Sequence, residues 1–196
     1  QSKLITTINT MNRIFYLLFA LFLALLIGCS HNQQSNQQHS PYAGQEAREI
    51  KAFTNQEVEG YLKGMGMGLS KVAELNQYPG PKHVLELADQ LELSNQQKEQ
   101  TKALFNQIKE KAINIGETYI AKERELNQMF ESGNVSSSTV DSLLVEIGKI
   151  KGTLRATHVN THIQMKEILT TKQIKKYDEL RGYGSGNSMH HHQKHS

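Results

Sequence analysis

The chain has 196 residues, a formal net charge of +3, a hydrophobic fraction of 37% and a single cysteine. A single cysteine excludes an internal disulfide framework. Residues 1–28 contain Lys3 and Arg13 and no acidic residue, so without them the net charge falls from +3 to +1. A chain this close to neutrality is not expected to bind nucleic acid.

The first thirty residues have the three parts of an export signal. Met11 is followed by Asn12 and Arg13, then by the apolar run Ile14–Ile27, then by Gly28-Cys29-Ser30. The apolar run is too short to span a membrane comfortably. Its end, Leu26-Ile27-Gly28-Cys29, resembles the lipobox of bacterial lipoproteins, in which the cysteine thiol is linked to diacylglycerol. The alternative is an ordinary secretory signal that closes on a small cysteine.

We therefore expect residues 1–28 to comprise upstream residues and a lipoprotein signal peptide that starts at Met11. Lipid on Cys29 would anchor the protein to a membrane on the periplasmic side of the envelope. Ser30 resembles the residue that sorts such proteins to the outer membrane. Residues 29–50 then form a flexible tether, because their Asn, Gln, Ser and His cannot bury a core.

The helical domain is expected over residues 51–183, and its first elements are short. Phe53-Thr54-Asn55-Gln56-Glu57 predicts a helix start, in which the Thr54 oxygen accepts a backbone N–H and Glu57 reaches back to the cap. This helix runs into four glycines within nine residues, at positions 60, 64, 66 and 68, so it should be weak or bent. The break Tyr78-Pro79-Gly80-Pro81 then allows Pro81 to begin a helix that carries Leu87 and Leu91.

Two longer helices follow, and the first opens with Leu93-Ser94-Asn95-Gln96-Gln97. Its apolar residues recur at helical spacing to about Phe130, and a second helix begins at the serine cluster 136–138 and runs to about Leu169. The loop between them is so short that the two helices must be antiparallel neighbours. Leu169-Thr170-Thr171-Lys172-Gln173 repeats the pattern of the first box and starts the last helix. The predicted structural caps are Thr54, Ser94, Gln97, Thr170 and Gln173.

The predicted fold is all-α, with four to five helices and a long antiparallel helical hairpin. Helices this long in so small a chain leave their flanks exposed unless a second copy covers them. Gly148 and Gly152 support that expectation, because an interior helical glycine costs up to about 1 kcal/mol against alanine and usually marks close backbone approach. The sequence therefore predicts a homodimer.

Histidines are the candidate metal ligands within the domain. His158 and His162 are four residues apart, so they share one helix face on or beside the apolar stripe of Leu154 and Met165. A metal would satisfy two buried imidazoles, and hydrogen bonds to backbone or water are the alternative. Two ligands do not complete a tetrahedral site. The missing ligands could come from His83, Met165, Glu123 or the second copy.

Residues 184–196 are expected to be a disordered tail in which four histidines, His190, His191, His192 and His195, could capture metal ions loosely. An expression tag is the alternative origin of that tail. Met65 and Met67 could supply thioethers to Cu(I), although methionine between glycines more often fills irregular packing. The carboxylates are spread along solvated helix faces without a shared site, so we do not expect an enzyme.

The two Leu-hydroxyl-x-x-Gln boxes, the export signal and the hairpin resemble the Spy/CpxP family, whose motif is LTxxQ, and the related periplasmic heavy-metal sensor and resistance proteins. The resemblance covers about Phe53 to Tyr183. Ser94 stands where the family usually has threonine, which keeps the hydroxyl cap. The lipid anchor is a second departure, since the best-known members are soluble in the periplasm.

The resemblance implies a cradle-shaped dimer that acts by binding. Some members hold unfolding client proteins without ATP, and others bind zinc, copper, nickel or cobalt and act in the envelope stress or heavy-metal response, where a membrane signalling partner is possible. We therefore expect a membrane-anchored protein that binds metal ions, unfolded clients or both. The alternatives are a holdase without a metal role and a structural envelope lipoprotein.

Overall fold

The computed structural model describes residues 40–183. Over this range the chain forms six helices and no strand, so the all-α prediction is confirmed for the described part. The helices are α1 (Asn55–Leu62), α2 (Lys71–Glu74), α3 (Pro81–Glu86), α4 (Asn95–Ser132), α5 (Ser137–Ile168) and α6 (Thr171–Arg181). None of the described helices is long and apolar enough to cross a membrane. The predictions for the export signal, Cys29, residues 30–39 of the tether and the histidines of residues 184–196 lie outside the described residues.

The chain divides into two units at Ala43 and Gly44. The described end of the first unit is a turn in which the Ala43 N–H donates to the Ser40 carbonyl. In the second unit Ile50 is only 2% exposed and packs in the core, and the Glu49 carbonyl accepts from the Asn127 side chain. Residues 49 and 50, which were assigned to the tether from the sequence, therefore already contact the packed part of the chain.

Helix starts follow the predicted chemistry. Thr54, Ser94 and Thr170 each accept the backbone N–H of the residue three positions on, and Glu57, Gln97 and Gln173 each return a hydrogen bond to the cap. Ser136 caps α5 in the same way. These reciprocal bonds satisfy backbone donors that a helix start otherwise leaves without partners.

The long hairpin organises the core. With 38 and 32 residues, α4 and α5 extend for about 57 and 48 Å. Gly133 ends α4 in the left-handed conformation, at φ 71°, and the chain reverses direction within four residues. A first hydrophobic cluster joins α1 to both long helices through Ile50, Tyr61, Ile108, Ala112, Tyr119, Ile120, Leu143, Ile147 and Leu154.

A second hydrophobic cluster lies where α3 and α6 meet the long helices. It contains Val84, Leu91, Leu93, Leu104, Met165, Leu169 and Tyr177. The helix predicted to begin at Pro81 is shorter than its pattern indicated: Leu87 is already the C-cap of α3, and Glu92 adopts a positive φ of 51°. Leu91 is buried all the same, at 3% exposure, from a turn rather than from a helix.

The two glutamine boxes bind each other, which the capping pattern did not predict. The Gln97 amide donates to Gln173 Oε1 at 2.8 Å, and the Gln173 amide donates to Gln97 Oε1 at 3.1 Å. Gln97 also donates to the Ile168 carbonyl, and Gln173 to the Leu91 carbonyl. Each glutamine therefore caps its own helix and also hydrogen-bonds the other glutamine and a backbone carbonyl just before the other box.

Close backbone approach occurs at a glycine other than the two that the sequence indicated. A Cβ on Gly148 or Gly152 would meet nothing within 4 Å, so neither marks a close approach in the described structure. A Cβ on Gly116 would lie 2.2 Å from the Tyr61 carbonyl oxygen. The absence of a side chain at Gly116 is what allows α1 to pack on α4.

Candidate functional site

A buried polar layer on α5 separates the two hydrophobic clusters. Thr157, His158, Thr161 and His162 are all buried, and they lie between Leu154 of the first cluster and Met165 of the second. Both threonine hydroxyls donate to the carbonyl four residues earlier on α5, so their hydrogen bonds are made within the helix. The imidazoles are the polar groups of this layer that depend on other elements.

A groove of about 620 Å³ opens over this layer. Its apolar wall comes from Met65 and Met67 on the loop after α1 and from Phe105 and Ile108 on α4. Its cationic groups come from five different parts of the fold. They are Lys63, Lys71, Lys82, Lys109 and Arg181.

The glycine-rich loop can form this wall because two of its glycines adopt positive φ. Gly64 has φ 62°, and a Cβ there would lie 2.9 Å from the Lys109 carbonyl oxygen. Met67 also has positive φ, at 45°, and its sulfur occupies the space beside Gly60, 2.4 Å from where a Cβ would be. The predicted weak or bent helix is therefore an eight-residue helix followed by a loop that folds back onto it.

His162 has hydrogen-bond partners at both ring nitrogens. Nδ1 lies 2.7 Å from the Tyr78 carbonyl oxygen and Nε2 lies 2.8 Å from Ser70 Oγ. A carbonyl only accepts, so Nδ1 carries the hydrogen, and in the neutral ring Nε2 accepts from the serine. The bond from His162 to the Tyr78 carbonyl is a hydrogen bond to backbone, the alternative to a metal ligand that was named for this residue from the sequence.

Glu74 is the acid of the site, and its side chain is only 12% exposed. Its Oε1 accepts from the Tyr177 hydroxyl at 2.5 Å and from the Tyr183 hydroxyl at 3.1 Å, and Arg181 Nε lies 3.7 Å away. Its Oε2 lies 3.5 Å from His162 Nδ1. Burial, together with the bond to Glu74, raises the pKa of Tyr177, so this hydroxyl stays a donor.

His158 lacks the partners that His162 has. It is 7% exposed, and its Nε2 is buried without a hydrogen-bond partner among the described residues. Burial lowers the pKa of His158, and the neighbouring His162 lowers it further, so the ring is neutral at pH 7. Glu74 Oε2 is a second buried atom without a hydrogen bond, so two unsatisfied polar atoms belong to residues that line this groove.

The described residues fit a metal ion poorly. Between Ser40 and Tyr183, no three His, Cys, Asp or Glu side chains are grouped to hold one. Of the candidate ligands, His83 Nδ1 pairs with Glu86 at 2.8 Å, and Met165 is fully buried in the second cluster. Glu123 lies near the Tyr119 hydroxyl, whose pKa is raised by burial and by the Glu123 charge. A metal at His162 would also have to displace one of its two partners. The metal site at His158 and His162 stays a prediction.

Several groove residues had no signal in the sequence. Ser70 and Glu74 lie on or beside the four-residue helix α2. Lys109 looks like one more solvated lysine of a long helix, and Arg181 follows the predicted cap Thr170 by eleven residues. Only the packing of α2 against α5 and α6 places Glu74 beside His162 and Tyr177. A single acidic residue in a short segment of mixed polarity is too common a feature to have indicated this.

No known protein family, curated protein or solved structure matches this chain.

Proposed function

We propose that this chain is a client-binding protein of the Spy/CpxP type, which holds unfolded segments of other proteins in the groove without using ATP. The observation that carries the proposal is the combination of an apolar wall and cationic groups in one groove. A client holder needs such a surface and needs no metal. The poor fit of the described residues to a metal ion favours this activity over metal sensing.

The groove suits varied clients because its apolar wall is adaptable. Met65 and Met67 are 53% and 38% exposed, and the unbranched methionine side chain can pack against different shapes. Surfaces rich in flexible methionine are typical of promiscuous binding. The lysines add long-range attraction, which raises association rates more than it raises affinity.

The proposal includes a lipid anchor on Cys29, a location on the periplasmic side of the envelope at the outer membrane, which rests on the export pattern, and a homodimer. The dimer is supported by an uncovered apolar face on α5. Leu144 and Val145 are 47% and 58% exposed, and Gly148 and Gly152 continue that face with open space above them. Light scattering of the chain from residue 29, with Cys29→Ser, should give twice the chain mass; a monomeric mass contradicts the dimer.

Metal binding is the second candidate function, because the buried Nε2 of His158 has no partner. A zinc, copper, nickel or cobalt ion would satisfy it, and the tail histidines His190, His191, His192 and His195 would form a second, looser site. Titration with Zn²⁺, Cu⁺ and Ni²⁺, with and without residues 184–196, separates the two sites. Binding that survives removal of the tail and is lost in His158→Ala supports a metal function for the domain.

Client holding is tested by suppression of aggregation of a reduced, unfolding protein. We expect the wild-type chain to suppress aggregation at near-stoichiometric ratios and Met65→Gln to require more protein, because it places an amide on the apolar wall. Leu180→Gln is the matched control, since Leu180 is 37% exposed on α6 and is not part of the groove lining. Failure of the wild-type chain to suppress aggregation would overturn the proposed function.

A further inference from the structure

The cations around the groove are not all paired with acids. Lys63 pairs with Glu59, and Lys82 lies 3.8 Å from Glu86, each within its own segment. Lys71 and Lys109 have no carboxylate within salt-bridge distance among the described residues. The groove therefore holds two lysines whose charge no neighbouring acid offsets.

The acid of the groove does not cancel that charge. Glu74 is engaged through Oε1 by two tyrosine hydroxyls, and Arg181 lies 3.7 Å from the same oxygen. Because Glu74 and Arg181 offset each other, the net charge presented by the groove is positive. Charge complementarity then favours an anionic occupant over a cationic one.

A hydrogen-bonding group is available in the wall of the same groove. His158 is more than nine-tenths buried, lines the groove, and has a buried Nε2 without a partner. A buried polar atom that lacks a partner costs about 1–3 kcal/mol, so a ligand that bonds it removes a penalty. A neutral imidazole with its hydrogen on Nε2 donates to an anionic oxygen.

The remaining wall is apolar and large enough for a chain of methylene groups. Met65, Met67, Phe105 and Ile108 contribute to it, and the volume of about 620 Å³ lies within the range of small-molecule sites. An inorganic anion would leave this apolar surface unused. A hydrocarbon without a charged head would leave the lysines and His158 unused.

We propose that the groove binds a single-chain amphiphile with an anionic carboxylate head, of the fatty-acid class. The head lies among Lys71, Lys109 and His158, and the alkyl chain lies along the methionines, Phe105 and Ile108. This activity shares the groove with the proposed client site and does not depend on it. The two ligands compete if both bind.

Laurate, used below its micellar concentration, is the probe, and calorimetric titration of the chain from residue 29 with Cys29→Ser is the measurement. We expect saturable binding of one laurate per chain. Dodecyl maltoside and dodecyltrimethylammonium, which have the same alkyl chain with a neutral or a cationic head, should bind more weakly in that order. Butyrate, which has the head without a long chain, should bind least.

Variants locate the head group. Replacing both lysines, Lys71→Gln with Lys109→Gln, should weaken laurate binding about three- to tenfold, since each exposed ion pair contributes modestly. Lys149→Gln is the matched control, because Lys149 is exposed on α5 and does not line the groove. His158→Gln should weaken laurate binding with unchanged helical content by circular dichroism. Competition by laurate against a fluorescent client peptide places both ligands in one groove.

Equal binding of the anionic and cationic amphiphiles, or unchanged laurate affinity in the double lysine variant, would overturn this inference. Suppression of client aggregation is measured in parallel on the same samples. A chain that suppresses aggregation and does not bind laurate refutes amphiphile binding alone. A chain that binds laurate saturably and does not suppress aggregation refutes the proposed client holding and leaves amphiphile binding standing.

Discussion

Gly116→Ala should destabilise the protein, although alanine is the better helix former. In an open helix interior the change stabilises by about 1 kcal/mol. Here the new Cβ would lie 2.2 Å from the Tyr61 carbonyl oxygen and 2.9 Å from its carbon. An ordinary contact begins at 3.4 Å, so α1 would have to retreat from α4 by about 1.2 Å.

The contacts of Tyr61 oppose that retreat. Its carbonyl accepts from the Gly64 N–H at 3.1 Å, and its ring packs against Tyr119 at 5.0 Å and against Phe53 at 5.7 Å between ring centroids. Overpacking of a core costs about 1–3 kcal/mol, and displacement of α1 adds lost ring contacts. After the gain in helix propensity, we expect a net loss of about 2 kcal/mol in the free energy of unfolding.

Urea unfolding followed by circular dichroism measures this change. Gly148→Ala is the matched control, because its Cβ meets nothing within 4 Å, and it should stabilise the monomeric fold by about 0.5–1 kcal/mol. Equal stabilisation by both substitutions would refute the close contact between α1 and α4. If the α5 face is the dimer interface, Gly148→Ala should also lower the dimer fraction at fixed protein concentration.

Three further substitutions test individual polar groups. Burial lowers the pKa of His158, so as the pH falls below about 6.5 the unfolded chain binds a proton at this residue before the folded chain does, and the folded state loses stability. In His158→Gln the urea midpoint should therefore change less between pH 7 and pH 5 than in the wild type. Burial raises the pKa of Asp178, so the ionised carboxylate destabilises the folded state at neutral pH. Asp178→Asn should therefore raise the melting temperature at pH 7. Below pH 3, where the carboxyl is protonated in both states, the variant and the wild type should melt at similar temperatures. Gln97→Glu keeps the acceptor for the Ser94 N–H and removes the amide that donates to Gln173. The free energy of unfolding in urea should therefore fall by about 1–3 kcal/mol. An unchanged free energy of unfolding would mean that Gln97 acts only as a cap.

The elements that the sequence predicted well are those determined by local chemistry. A hydroxyl at the cap and a Glu or Gln three positions on satisfy backbone donors within four residues, so the starts of α1, α4 and α6 could be predicted from short segments. The hairpin follows from two long apolar patterns joined by a short loop. These features depend on neighbours along the chain, and no knowledge of the tertiary packing is needed to find them.

Long-range packing determined the rest. The mutual bonds of Gln97 and Gln173 join residues 76 positions apart, and Tyr177 reaches Glu74 across 103 positions. Whether a glycine marks a close contact depends on what faces it, which is why Gly116 and not Gly148 touches another backbone. By itself the sequence determined where most helices begin and that two long ones pair; only the tertiary structure decided which polar groups are satisfied and where a groove remains, because both depend on side chains brought together from distant segments.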